Sequence, residues 1–390
     1  MKAQFFILII GLFFYTNLNI IPQTKKTFTT QKIPIIINKE KRYPKTTFIP
    51  KTVVRYIPLE TNKDVLLGQG AHIYYLSENR ILVSNDFRGD IFIFDLSGKA
   101  ISNFNVKGGL GCSSISYVVY DEKMEEVFVV DHISRKIVVF AENGSFLRTL
   151  HMPGKSTFTE IQNFNDSLLL AFSEHLYGPL EQKHPYMLIS KSDGTLVSKL
   201  NIVRDKANPK YLVSGDEWTV MSNNYSGNCK FGQEFILFNK SSDKIFVLKQ
   251  DQTLTPLFVQ QPTVFSENPV IVSVGMKTRD FIRFSVYPYN LKEARRKNAR
   301  GDNRPTDGGV KYLMYEFKTG KFFECNKWGN SKYWAEKVEI PENTCVKLID
   351  SYRLVEHLKL RLLKGDKKEI ASKLKIDDNP VVEITKFICE

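Results

Sequence analysis

Residues 81–104 and 127–150 are two copies of one pattern, offset by 46 positions. ILVSNDFRGDIFIFDLSGKAISNF stands over VFVVDHISRKIVVFAENGSFLRTL. Ile81 then falls on Val127, Val83 on Val129, Ile91 on Ile137, Phe94 on Phe140, Gly98 on Gly144 and Phe104 on Leu150. Each copy holds three apolar runs and two turns. The first turn centres on Asn85-Asp86 or Asp131-His132, the second on Leu96-Ser97-Gly98 or Glu142-Asn143-Gly144. Ser-Gly and Asn-Gly supply the positive φ that tight hairpins demand. A period in the forties with strand chemistry points to blades of a ring, because one such unit cannot bury its own faces and must stack on its neighbours.

Looser copies follow. LLLAF, YMLIS, KSDG and TLVSKL (168–200) place Gly194 at the turn; FILFN, KIFVLK, DQ and TLTPLFV (235–259) place Gln252 there; YLMYEF, KTG and KFF (312–323) place Gly320 there. The last interval is stretched by a basic insertion at 292–309. A sixth unit is expected from the two ends: VVRYIPLE (53–60) is free to pair with PVVEITKF (380–387), and CVKLIDS with YRLVEHL (345–358) reads as a hairpin. Closing a ring in this way removes the open edge that invites aggregation. LKLRLLKGDKKEIASKLKI (358–376) has helix formers and i, i+4 apolar spacing, so one or two short helices are expected outside the ring, broken at Gly365. The 28 Phe and 17 Tyr, against 3 Trp, favour strands. The expected fold is all-β: a six-bladed β-propeller of four-stranded blades over residues 51–390, closed by N- and C-terminal strands, with a short helix near the C-terminus.

A charged residue, Lys2, is followed by an apolar core from Phe5 to Tyr15. Eleven helical residues reach about 16 Å, too short for a bilayer core of about 30 Å. Residues 1–22 therefore read as a secretory signal peptide with Asn17 to Gln23 as the cleavage zone. An uncleaved anchor running to Ile21 is the alternative. Residues 23–50 read as a linker, and no membrane span is expected after cleavage. The five cysteines are scattered, without C-x-x-C or metal spacing. Export permits disulfides, the odd count leaves a free thiol, and at most one or two bridges are expected.

Net charge is +13, spread along the chain apart from one cluster, KEARRKNAR at 292–300. No zinc-finger or RRM signature accompanies it, so nucleic acid is not an expected partner. A solvated basic surface explains the charge, and a basic loop touching an anionic glycan or lipid head group is the functional version. Arg295, Arg296 and Arg300 are its candidate contacts. Arg300-Gly301-Asp302 is treated as a chance tripeptide.

Asp131-His132 sets an acid beside a base, yet it occupies the same turn as Asn85-Asp86, where Asn and Asp are favoured because their side chains bond the local backbone. A ligand role would make Asn85, Asp86, Asp131 and His132 polar groups in a pocket near the channel. No nucleophile or second acid accompanies them, so no catalytic residue, metal site or cofactor is assigned. His132 and His184 lie in successive units, where they would be candidate metal ligands. KGGLG (107–111) lacks the Lys-Ser/Thr ending of a phosphate loop and reads as a connection between blades, with Cys112 beside it. Tyr177, Tyr186 and Tyr225 are candidates for stacking on sugar faces.

On IPLETN (57–62), IFIFDLSGKAISNF (91–104), KGGLG and DNPVVEI (378–384), the sequence resembles the six-bladed β-propellers of Bacteroides-type cell-envelope proteins, akin to NHL-repeat propellers, over about residues 50–390. Members carry a G-x-G-P-x-E-Y-like stretch after the first blade; here Gly108 to Ser114 lacks its Pro and Glu. The resemblance implies the fold and a place at the cell envelope but little about chemistry. From the rigid ring and its loops of varied length, the leading expectation is an exported, periplasmic or envelope-associated module binding an envelope protein or glycan. A metal-dependent hydrolase or lyase with its site at the central channel is the alternative.

Overall fold

The structure, a computed structural model, describes residues 36–38, 41–46, 50–107, 111–154, 156–173, 184–203, 228–238, 242–264, 266, 270–288, 310–325 and 338–389. Strands β1 (Ile36–Asn38) and β2 (Thr52–Pro58) precede the repeats and join blades completed later in the chain. The first blade is β3 (His72–Leu76), β4 (Ile81–Asn85), β5 (Asp90–Phe94) and β6 (Ala100–Asn105). The second is β7 (Tyr117–Asp121), β8 (Glu126–Asp131), β9 (Lys136–Ala141) and β10 (Phe146–His151). The third is β11 (Glu160–Asn163), β12 (Leu168–Phe172), β13 (Tyr186–Ser190) and β14 (Leu196–Lys199). The fourth is β15 (Cys229–Phe231), β16 (Glu234–Phe238), β17 (Lys244–Lys249) and β18 (Leu254–Gln261), with β1 parallel to β18 on its outer edge. The fifth is β19 (Val270–Lys277), β20 (Phe281–Pro288), β21 (Lys311–Glu316) and β22 (Lys321–Glu324). The chain is a six-bladed β-propeller.

Burial follows position in the blade. Central strands meet neighbouring blades on both faces, so β8 and β9 read as continuous apolar runs with Val127, Phe128, Val129, Val138 and Val139 fully or almost fully buried. The outermost strand β6 alternates half-buried and exposed positions instead, because one face meets water. Burying a Val, Leu or Phe side chain contributes about 1.5–3 kcal/mol, and this apolar layer between blades holds the ring together.

The repeated glycine has a packing reason as well as a conformational one. Gly98 and Gly144 both have positive φ, +89° and +85°. A Cβ on Gly98 would meet the Pro58 carbonyl oxygen at 2.0 Å, and one on Gly144 would meet Phe104 at 2.6 Å. Each hairpin thus seats its bare turn on the outer strand of the preceding blade. Gln252, expected in the glycine's place, also has a positive φ of 66°.

The sixth blade closes the ring with both ends of the chain. β24 (Val381–Phe387) lies between β2 and β23 (Thr344–Ile349), with Thr52 opposite Phe387 and Pro58 opposite Val381. YRLVEHL does not return as a strand. Residues 351–359 form helix α1 (Ser351–Lys359), followed by α2 (Gly365–Ala371), which begins at the glycine expected to break it. Leu354 and Leu358, one helical turn apart, pack with Val381, Tyr56 and Ile349, so the i, i+4 spacing forms the buried face of a helix. Part of the segment expected as a linker also packs on the ring. Ile37 is fully buried, the Asn38 N–H donates to the Tyr43 hydroxyl, and Thr46 N–H donates to the Glu324 carbonyl in blade five.

This closing sheet has three strands. In chain order the place of its innermost strand belongs to Val338–Ile340, but that segment leaves the sheet. Glu339 N–H donates to the Tyr74 carbonyl, the Leu76 N–H donates to the Glu339 carbonyl, and Ile340 bridges Phe231. Tyr74 and Leu76 are in blade one and Phe231 is in blade four, so the segment fills the axis between inner strands of facing blades.

Candidate functional site

At one mouth of the ring the turns after the first strands leave a cavity of about 470 Å³. Blade one supplies Tyr75, blade two Asp121 to Lys123, blade three Asn163 to Asp166 and Lys191, and blade four Lys230 and Gln250. No two neighbouring contributions come from one local motif. Below it, the filled axis leaves residual spaces of about 10 Å³ on either flank of the 338–340 segment, room for about one water each.

The cavity is charged but internally balanced. Lys191 Nζ lies 2.6 Å from Asp121 Oδ2, with side-chain exposures of only 6% and 5%. Lys230 pairs with Glu339 and also donates to the Asn163 carbonyl at 3.0 Å. Lys123 and Asp166 pair at the exposed rim. Tyr75 donates its hydroxyl to Glu122 Oε2 at 2.8 Å, and burial together with that carboxylate pushes the phenol far above its ordinary pKa. Glu339 keeps 22% of its side-chain surface exposed, yet burial at the axis pushes its carboxyl up, with Lys230 opposing. Asn163 Oδ1 is buried without a hydrogen-bond partner among the described residues. Such a floor offers neutral amide and phenol groups; its lysines and aspartates are matched by partners of opposite sign, and Glu122 is held by the Tyr75 hydroxyl and the Asn79 amide.

The turn residues named from the sequence lie at the other end of the ring, because β8 runs from the cavity end to Asp131. Asn85 donates its amide to the Leu67 and Gln69 carbonyls at 2.9 and 3.0 Å and accepts the Arg88 N–H. Asp86 accepts the Tyr74 hydroxyl at 2.5 Å and the Ser84 hydroxyl at 2.9 Å. Asp131 is fully buried and accepts from the Ser113 N–H and hydroxyl and from the Ser134 N–H. Burial alone would raise its pKa, but these hydrogen bonds outweigh it and hold the carboxyl below the ordinary value. His132 is half-buried and its Nδ1 has no partner among the described residues.

His184 Nδ1 meets the Leu200 carbonyl at 3.0 Å. Among the described residues no three His, Cys, Asp or Glu side chains cluster as a metal site. Tyr186, offered as a sugar-stacking ring, is buried, with its hydroxyl on Asn228 and the Phe238 carbonyl. Arg295, Arg296, Arg300, Tyr177 and Tyr225 lie outside the described residues. All five cysteines are unbridged, and burial pushes the Cys112 thiol up to about 12, which leaves it inert.

Sequence reasoning missed the cavity, since its residues are drawn from turns of four blades. The usable signal was the repeat itself: Asp121 to Met124 and Asn163 to Ser167 are corresponding turns, each capped by an acid or amide.

The chain belongs to the family described as "Domain of unknown function (DUF4934)", whose model matches residues 51–386. No curated protein matches it. Among solved structures it is similar to a Bacteroides fragilis protein named as a candidate exported protein. The two are 13% identical over 91% of this chain and 100% of that one, with a TM-score of 0.63. A Bacteroides vulgatus member of the DUF4221 family is 11% identical over 87% and 97%, with a TM-score of 0.49. Staphylococcus aureus virginiamycin B lyase is 11% identical over 87% and 100%, with a TM-score of 0.38. At these identities the likeness concerns the fold.

Proposed function

We propose that this member of the DUF4934 family is an exported binding module whose ring-mouth cavity takes a neutral, hydrogen-bonding ligand, with a glycan as the best chemical fit. One observation carries the reading: a cavity of about 470 Å³ whose three lysines, Asp121 and Asp166 are already held in ion pairs and whose Glu122 is held by the Tyr75 hydroxyl and the Asn79 amide. An ionic ligand entering there would have to break those pairs, whereas sugar hydroxyls can share the amide, phenol and carboxylate groups without doing so. The apolar N-terminal core and the name of the Bacteroides fragilis protein support export to the envelope. The channel-centred hydrolase or lyase reading draws no support from the axis, which the chain's own Val338–Ile340 occupies.

The test is a glycan array probed with the full chain, paired with Gln250→Trp, which fills the cavity from a blade-four turn. Binding of neutral glycans that disappears in Gln250→Trp at unchanged melting temperature is the expected result. Array binding that survives the filled cavity, or no glycan binding at all, overturns the proposal.

A further inference from the structure

The link between α1 and α2 carries five exposed residues among 359–364: Lys359, Leu360, Arg361, Leu362 and Lys364. Leu360 and Leu362 are 66% and 63% exposed. Other strongly exposed apolar residues, such as Phe87 and Ile133, stand singly at turn tips; here two leucines sit among three cations. Lys359, Arg361 and Lys364 make no ion pair among the described residues, while Arg353, Lys367 and Lys373 nearby are matched by Asp350, Glu383 and Glu369. From Ser351 to Ile376 there are eight Lys or Arg against three Asp or Glu, a net +5. The link is fixed in place, since Leu354, Leu358, Leu363 and Ile370 anchor both helices to the closing blade.

We infer that this link docks the ring on an anionic lipid surface. A leucine left in water loses the free energy that burial would supply, and a chain recovers it only where something covers the side chain. Five exposed residues on one short stretch, two leucines among three cations, match the mixed apolar and anionic chemistry of a bilayer interface. Interleaved Leu and Lys/Arg is the chemistry of interfacial segments: the leucines enter the headgroup–acyl boundary and the cations meet lipid phosphates. This surface is on the closing blade, apart from the cavity on blades one to four, and does not depend on a ligand there.

The test uses the full chain carrying Leu362→Trp, read as a difference spectrum against the parent so that other segments common to both cancel. Vesicles of about one-third phosphatidylglycerol in phosphatidylcholine should shift the added indole emission to the blue, an effect reversed by salt and absent on pure phosphatidylcholine. Adding Lys359→Gln, Arg361→Gln and Lys364→Gln should weaken the vesicle titration at least about tenfold. No blue shift, an equal shift on neutral vesicles, or a titration unchanged by the three substitutions overturns the inference. An acidic protein that protects the indole when anionic vesicles do not would also overturn it, and would name the other class of partner.

Discussion

Ser113 gives its backbone N–H to Asp131 Oδ2 at 2.7 Å, at the place where, one blade earlier, Asn85 gives its side-chain amide to the Leu67 carbonyl. The two turn residues do the same job with opposite polarity, tying the strand end to the incoming connection. They are therefore not interchangeable. In Asp131→Asn the new amide would face a backbone N–H, and a donor would be left unsatisfied. Both Asp131→Asn and Asp131→Ala should lower stability by about 1–3 kcal/mol, measured as a shift in the denaturant midpoint.

The same carboxyl sets a direction with pH. Its folded pKa lies below the ordinary value of 3.8, so its contribution is present above that value and is lost as the pH falls through the depressed one. The parent should lose stability on acidification below about pH 4, and Asp131→Ala should show a shallower loss over that window. Parallel acid titrations of the two proteins, followed by near-ultraviolet circular dichroism, make the comparison.

Gly98→Ala should cost more than Gly365→Ala. Both positions have positive φ, a conformation that costs an L-residue about 1–2 kcal/mol. At Gly365 a new Cβ meets nothing within 4 Å, whereas at Gly98 it runs into a backbone carbonyl at 2.0 Å. A backbone cannot turn aside as a side chain can. Equal shifts in melting temperature for the two variants would count against the seating of this turn on the closing blade.

The buried Lys191–Asp121 pair should behave as a unit. Removing one partner leaves a charge unmatched in the interior, which costs about 3–5 kcal/mol, while replacing both with apolar residues is often close to neutral. Lys191→Met should thus be strongly destabilised, and Asp121→Leu with Lys191→Met should recover most of the loss. A double-mutant cycle in urea measures the coupling.

Glu339 runs the other way from Asp131. Its folded pKa is raised above 4.5 by burial, so the folded state holds the proton more tightly, and stability is greatest below 4.5 and declines as the pH rises through the raised value. Glu339→Gln should flatten that decline, as read from melting temperatures taken in steps upward from pH 4.5.

Much of the ring was legible because each blade repeats its own chemistry. The 46-residue offset places Gly98 on Gly144, and the same strand-turn-strand pattern places Gln252 at the corresponding turn, where its φ is positive. Pairing of VVRYIPLE with PVVEITKF was readable because VVRYIPLE precedes the first repeat and closing the ring calls for strands from both ends; the second partner of PVVEITKF, CVKLI, reads in sequence as half of a hairpin with YRLVEHL instead. YRLVEHL itself was not readable, since seven residues are too few for periodicity to separate a strand from a helix until the tertiary partner is known. The axis segment and the cavity were out of reach for a different reason. Val338–Ile340 pairs with strands of blades one and four, and the cavity joins turns and strand residues of four different blades, so neither assembly shows in any one stretch of sequence.

Because β2 and β24 are partners, the first and last strands of the ring must wait for each other. A polypeptide emerging from the ribosome, or from a translocation pore, can stack five blades and still present two raw borders until Phe387 is free. During that interval the incomplete ring has the hazard of any unpaired strand, and a holding chaperone would have a defined substrate to shield. After closure the same arrangement protects both borders of the ring: a protease that attacks Thr52–Pro58 or Val381–Phe387 must first prise out a strand that the opposite border is holding in place.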